Sequence, residues 1–196
     1  MKFSYLFGIL LISLLLLNAC TGKTVNTIPQ DVDVGSEDDH KPSTFTDSNI
    51  DNNAGQKAPD VSVTTVDGKS IVLSELTKQK KPILLYFWAT WCPYCKRDLA
   101  VLDKVYPNYR DKVKIVAIDL DLNENNQVIK DYIKENNHEN NGVDFSTGKE
   151  SILRNYNIIY TTTKYAVNSQ GKIIYKGSGE FNQEQWNLLL SELAKS

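Results

Sequence analysis

The sequence predicts an α/β domain: a central mixed sheet flanked by helices, with a β-hairpin extension at its N-terminal side. Three observations carry this. Ile83-Leu84-Leu85-Tyr86-Phe87-Trp88 is apolar without alternation, as in a strand covered on both faces. Segments of helical spacing follow it, separated by a second apolar run at residues 114–118. Two pairs of short strand-like segments, each joined by turn residues, stand at either end of this block.

In order, residues 61–66 alternate apolar and polar, Asp67-Gly68 supplies a turn, and residues 70–73 return, forming a hairpin. Ser74-Glu75-Leu76 suggests a short helical turn, and Pro82 leads into the central strand. Cys95, Leu99, Leu102, Tyr106 and Tyr109 share one helix face, which should pack on the sheet and bury Cys95 while Lys96 and Arg97 point outward. Pro107 should kink or end that helix. After the strand at 114–118, Val128, Ile129, Tyr132 and Ile133 mark another helix. The polar stretch 136–141 ends it, with His138 expected as a solvated loop residue. Ile152, Leu153 and Tyr156 suggest a short helix. Residues 165–167 and 173–175 flank Asn168-Ser169-Gln170-Gly171 as a second hairpin. The last helix should start at Asn182, capped reciprocally with Gln185, with Phe181 stapled to Trp186 and a buried stripe of Trp186, Leu189, Leu190 and Leu193.

The N-terminal part has a different character. Residues 3–17 are almost wholly apolar, short for a membrane-spanning helix of about 20 residues and suited to a signal segment. Leu17-Asn18-Ala19-Cys20 resembles the lipobox of bacterial lipoproteins, which implies a signal peptide at 1–19, cleavage before Cys20 and lipid attachment to it. An ordinary secretory signal is the alternative. Of three cysteines, this leaves one pair and no odd thiol. Residues 20–56 are rich in Asp, Asn, Ser and Thr, too polar to offset the entropy of ordering, and read as a flexible tether. Residues 57–196 suffice for one domain core. With 22 basic against 24 acidic residues and no basic stripe, nucleic acid is not an expected partner. His40 and His138 stand apart from the cysteines, so no metal site or cofactor is expected.

The chemistry concentrates in Trp91-Cys92-Pro93-Tyr94-Cys95, between the central strand and a helix. A cysteine at a helix start lies at the positive end of the dipole, where free N–H groups stabilise the thiolate that performs disulfide exchange. Cys92 is therefore expected to be the exposed attacking sulfur. Cys95, one turn on, can resolve a mixed disulfide. Pro93 falls at the first helical position, where its missing N–H costs nothing. A structural disulfide or half of a metal site are the alternatives. A copper(I) chaperone is a further reading, since soft thiolates suit that ion, but no third ligand has a recognisable spacing.

This order of elements, with the dithiol at the first strand-to-helix junction, describes a thioredoxin-like fold. Residues from about Ala58 onward resemble the membrane-tethered thioredoxin-like proteins of the bacterial envelope, the TlpA/ResA group. The resemblance rests on Ala58-Pro59-Asp60, Leu73-Ser74-Glu75-Leu76, Phe87-Trp88-Ala89-Thr90-Trp91-Cys92-x-x-Cys95, Ile115-Val116-Ala117-Ile118 and Gly171-Lys172-Ile173-Ile174. It implies a monomeric, lipid-anchored thiol–disulfide oxidoreductase. Such a protein exchanges disulfides with oxidised or reduced envelope proteins, commonly as reductant, and with a membrane redox donor or acceptor.

Three departures from that family stand out. Where the family places a cis-proline facing the dithiol, this chain has Thr162, within Thr161-Thr162-Thr163. A cis bond there costs about 2.5–4 kcal/mol, so the loop is expected to be trans, with Thr161 less well aimed at a client. Thr162→Pro is expected to restore the family's loop and raise insulin reduction, the alternative being destabilisation of the fold if the trans loop is well packed. The buried acid of the thioredoxin site corresponds to Tyr86, whose phenol, with a pKa of about 10, is a poor base. Asp98, Asp119, Asp121 and Glu124 are the alternative proton carriers, each expected to be a solvated carboxylate unless the fold buries it. Ala100 replaces a helix-kinking proline, predicting a straighter helix. Pro93-Tyr94 is the inner dipeptide of glutaredoxins, which makes a glutathione-linked or oxidising reaction the rival. A peroxidase is disfavoured because Ala89 stands where such sites place threonine.

Overall fold

The computed structural model describes residues 54–196. The signal segment, Cys20, His40 and nearly all of the expected tether lie outside the described residues.

The main sheet has five strands in the order β5-β4-β3-β6-β7. Strands β3 (Ile83–Trp88), β4 (Lys114–Asp119) and β5 (Asp144–Thr147) run parallel, while β6 (Thr163–Val167) and β7 (Ile173–Gly177) continue antiparallel. The hairpin of β1 (Ser62–Thr64) and β2 (Ser70–Val72) is a separate two-stranded sheet. It touches the main sheet through a bridge from Thr65 to Ser146.

β3 lies at the centre and is buried along its whole length. Because strand side chains alternate faces, Leu84, Tyr86 and Trp88 enter one core and Ile83, Leu85 and Phe87 the other. The first core contains α2 (Pro93–Val105), α3 (Asn126–Glu135) and α5 (Gln183–Lys195) through Leu99, Leu102, Ile129, Trp186, Leu189 and Leu190. The second holds the hairpin residues Val63 and Ile71, with α1 (Leu73–Lys78) and α4 (Glu150–Asn155) contributing Leu73 and Ile152.

The capping box of Asn182 and Gln185 forms with both hydrogen bonds at 2.9 Å, and Phe181 sits edge-on to Trp186 at 5.2 Å. α2 runs unbroken to Val105, and Pro107 ends it within a 3-10 turn. Tyr109 thus lies beyond the helix, not on its face, but still packs against the first core.

Two expectations are corrected, and one strand was not expected. His138 is buried, not solvated: the chain after α3 folds back and stacks its ring between Tyr132 and Phe145. There its Nδ1 meets Asp103 at 2.7 Å, and Asn141 donates to the same carboxylate. β5 has no counterpart in the apolar pattern, because two of its four side chains, Asp144 and Ser146, are polar and yet buried. Asp144 is tolerated there by ion pairs with Lys69 and Lys114. Ordered pairing also begins before residue 57, since the Gly55 amide donates to Ile173 and the Ile173 amide to Gln56.

Gly148 follows β5 and faces the carbonyl oxygen of Asp119, with no room for a side chain. Gly148→Ala should therefore separate β4 from the turn and destabilise the domain by about 1–3 kcal/mol. Urea unfolding measures this, and an unchanged midpoint would show that the turn yields freely.

Candidate functional site

The site lies where the carboxyl end of β3 passes into α2. Cys92 is the helix N-cap, in extended backbone, and Pro93 opens the helix. Cys92 and Cys95 are joined by a disulfide, with Cα atoms 5.3 Å apart, and the Cys92 sulfur accepts a hydrogen bond from the Cys95 amide at 3.1 Å. Cys95 is buried, while Lys96 and Arg97 face outward as expected. Cys92 is not the exposed sulfur expected of it: in the disulfide it is turned toward the Cys95 amide and only 2% exposed. The exposed groups are its neighbours Trp91 and Tyr94, at 60% and 57%.

Both aromatics are held from the side. The Trp91 indole N–H donates to Asp121 at 2.9 Å. Arg97 lies 4.8 Å above the Tyr94 ring and forms a two-pronged ion pair with Glu180. Thr90 donates both its amide and its hydroxyl to Glu124. The loop after β4 thereby grips the residues leading into Cys92.

The four candidate proton carriers separate by environment. Asp121 is partly exposed, and hydrogen bonds from Asn123 and Trp91 hold its carboxyl below the usual range. Glu124 is half-buried on Thr90. Asp119 and Asp98 are buried, so neither is a solvated carboxylate. Asp119 ends β4 directly beside Trp88. Burial, reinforced by the hydrogen-bonded Glu124, pushes its pKa up to about 8. Asp98 lies one turn after Cys95 on the same buried face of α2. Its Oδ1 accepts from the Phe181 amide and the Trp186 indole, and its Oδ2 meets Lys164 Nζ at 2.6 Å. Burial, with the Asp98 carboxylate second, raises the Tyr86 hydroxyl well above its ordinary range, so it is no base at neutral pH.

Thr162 is in the left-handed region at φ 57°. For a β-branched residue this costs on the order of 1–3 kcal/mol and must be held by its surroundings. No peptide bond among the described residues is cis, so the Thr161–Thr162 bond is trans. Proline's ring locks φ near −65°, about 120° away. Thr162→Pro therefore meets a backbone it cannot adopt, which favours the alternative, destabilisation, over restoration of the family's loop.

Lys164 was not anticipated from sequence. The available signal was a lysine in a strand bordered on both sides, opposite Tyr86 in the register, where a buried charge needs a buried partner. Among the described residues, no three His, Cys, Asp or Glu side chains gather as a metal site.

The AhpC/TSA family matches residues 54–176. The chain belongs to this family. It is 31% identical over 140 residues to a thiol-disulfide oxidoreductase ResA of Bacillus thuringiensis, covering 71% of this chain and 78% of that protein. The sporulation thiol-disulfide oxidoreductase A of Bacillus subtilis is 31% identical over 123 residues, covering 62% and 72%. The crystal structure of StoA from Bacillus subtilis superimposes with a TM-score of 0.57 at 27% identity, over 67% of this chain and 96% of that one. The pneumococcal exposed lipoprotein thioredoxin of Streptococcus pneumoniae shares the fold, with a TM-score of 0.59 at 22% identity, over 69% of this chain and 100% of that one. The fold is thioredoxin-like.

Asp119 makes stability depend on pH. An unfolded aspartate ionises near 3.8, whereas the folded group holds its proton to about 8. Across that window the folded chain carries a proton the unfolded chain lacks. The stabilisation is thus complete at acid pH and is lost as pH rises through about 8. Asp119→Asn, which can still donate to Glu124, should flatten the decline of Tm across that window and exceed wild type above it. Parallel Tm–pH curves would show that Asp119 does not carry the proton.

Proposed function

We infer that the protein is a thiol–disulfide oxidoreductase of the ResA type that exchanges disulfides with other proteins through Cys92 and Cys95. The observation that carries this is the Cys92–Cys95 disulfide at the N-terminus of α2, at the end of a strand with no freedom to move. The names of the relatives agree with it.

In the reducing direction, the Cys92 thiolate attacks a client disulfide, forming one mixed S–S bond and releasing one client thiolate. Cys95, having lost its proton, attacks Cys92, and the second client thiolate leaves. The client gains two electrons and two protons, and the Cys92–Cys95 disulfide is re-formed. The helix N-terminus favours the Cys92 thiolate. Asp98, one turn beyond Cys95 on the buried face, is the nearest carboxylate along the helix to take part in its deprotonation. Trp91 and Tyr94 beside the cysteines, with Ile159 and Tyr160 leading into Thr161, present exposed apolar surface suited to an unfolded client segment. Thr161 follows Tyr160 directly and is half-buried, while Thr162 is buried. Ala89, buried three residues before Cys92, has no hydroxyl to offer a peroxide.

The protein is placed outside the cytoplasm, with residues 1–19 as signal peptide, a lipid on Cys20 and the following segment as tether. Sequence pattern alone supports this. Electrons are expected to flow toward the client from a membrane donor.

Insulin reduction by the wild-type protein should be lost in Cys92→Ser. Cys95→Ser should instead accumulate mixed disulfides through Cys92, the unresolved first intermediate. Adducts on Cys95 in Cys92→Ser, with none on Cys92 in Cys95→Ser, would reverse the roles. Labelled fatty acid should be incorporated into the wild type and absent from Cys20→Ala, and equal labelling of the two would exclude lipid at Cys20.

A further inference from the structure

Lys164 is a charged residue that the exchange steps above do not use. It lies on β6 facing the first core, between Tyr86 on β3 and the edge strand β7, and its side chain is fully buried. Its ammonium reaches three oxygens: Asp98 Oδ2 at 2.6 Å, the Gly179 carbonyl at 2.6 Å and the Thr162 carbonyl at 3.2 Å. The rings of Phe181, Tyr86 and Trp186 surround it at 4.4–5.1 Å. This is a closed site in which two carbonyls accept hydrogen bonds from the ammonium and a carboxylate forms an ion pair with it.

Each partner belongs to a different part of the dithiol end of the sheet. Thr163 pairs with Phe87, so Thr162 stands level with the end of β3, where the chain turns toward Cys92. Its left-handed backbone is pinned from two directions: Lys164 holds the carbonyl, and the Gly179 amide donates to the hydroxyl at 3.0 Å. Gly179 is itself drawn in by the same ammonium. Asp98 brings in α2 one turn beyond Cys95.

We propose that Lys164 is a positioning residue of the dithiol site, whose single buried ammonium both fixes the Thr162 turn and balances the charge of Asp98 beside Cys95. This rests on the exchange reading above and deepens it. Turn order and charge near the resolving sulfur then change together, because one group serves both. Burial lowers the pKa of Lys164 while Asp98 opposes that shift. The other ionisable groups facing the pair are Tyr86 on β3, Tyr175 on β7 and Glu180, which Arg97 neutralises from α2.

The test compares wild type, Lys164→Met and the double variant Lys164→Met/Asp98→Asn, each reduced with a small dithiol. Two readouts are taken: the pH midpoint of Cys92 alkylation, and amide exchange at Thr162 and Thr163. In Lys164→Met the unbalanced carboxylate should raise the midpoint by about 0.5 unit or more, and exchange should quicken about tenfold or more. In the double variant the midpoint should return to the wild-type value while exchange stays fast, which separates charge from clamping. A folded Lys164→Met protein with either readout at the wild-type value overturns the proposal. If that variant does not fold, the double variant, which strands no buried charge, decides: fast exchange at a wild-type midpoint supports the proposal and wild-type exchange overturns it. Neither readout requires turnover, so failure of this proposal is distinguishable from loss of insulin reduction in the wild type, which would sink the exchange reading on which it rests.

Discussion

Strand β3 has no face left for solvent, and the site inherits its position from that constraint. Six consecutive buried side chains divide between two cores, so β3 cannot slide by one residue without sending Leu84, Tyr86 and Trp88 into the wrong layer. Its last residue therefore ends at one defined point, and Cys92 four residues later caps a helix whose own stripe is buried against the same sheet. Rigid placement lets a thiolate benefit from the free amides of the helix start, because that field falls away within a turn.

Around this frame the fold treats three buried aspartates in three ways. Asp144 is balanced by lysines from β4 and the hairpin turn. Asp98 is balanced by a lysine that is itself wholly buried. Asp119 has no cation among the groups that shift it, and it holds its proton instead. All three answers follow from the same penalty for a bare charge in low dielectric. Asp98 lies one turn beyond Cys95 on α2, and Asp119 pairs with Trp88 at the end of β3.

The Thr162 turn shows the same economy of means. A residue that disfavours left-handed backbone is kept there by its own hydroxyl, by Gly179 and by the ammonium of Lys164. A proline would impose a different backbone by covalent geometry, whereas here the geometry is imposed by contacts. Such a turn is only as rigid as the network that holds it.

Much of this was legible in the linear chain. The apolar run of β3, the 3.6-residue stripe of α2, the capping box at Asn182 and the turn residues of both hairpins are local signals, and each element formed where its pattern stood. Cys-x-x-Cys at a strand-to-helix junction is likewise a local statement, since helix-start chemistry needs only neighbouring residues. What the sequence could not decide was which polar residues would be enclosed. His138 sits in the polar stretch 136–141, Asp144 just beyond it and Lys164 just before the strand read at 165–167, yet all three are buried, because partners from distant parts of the chain, Asp103, Lys69 with Lys114, and Asp98, make burial tolerable. Local periodicity determined the elements other than β5, and a local motif the dithiol. Only the tertiary structure brought together these buried pairs, because pairing across 30 to 75 residues leaves no trace in a window of one helix or strand.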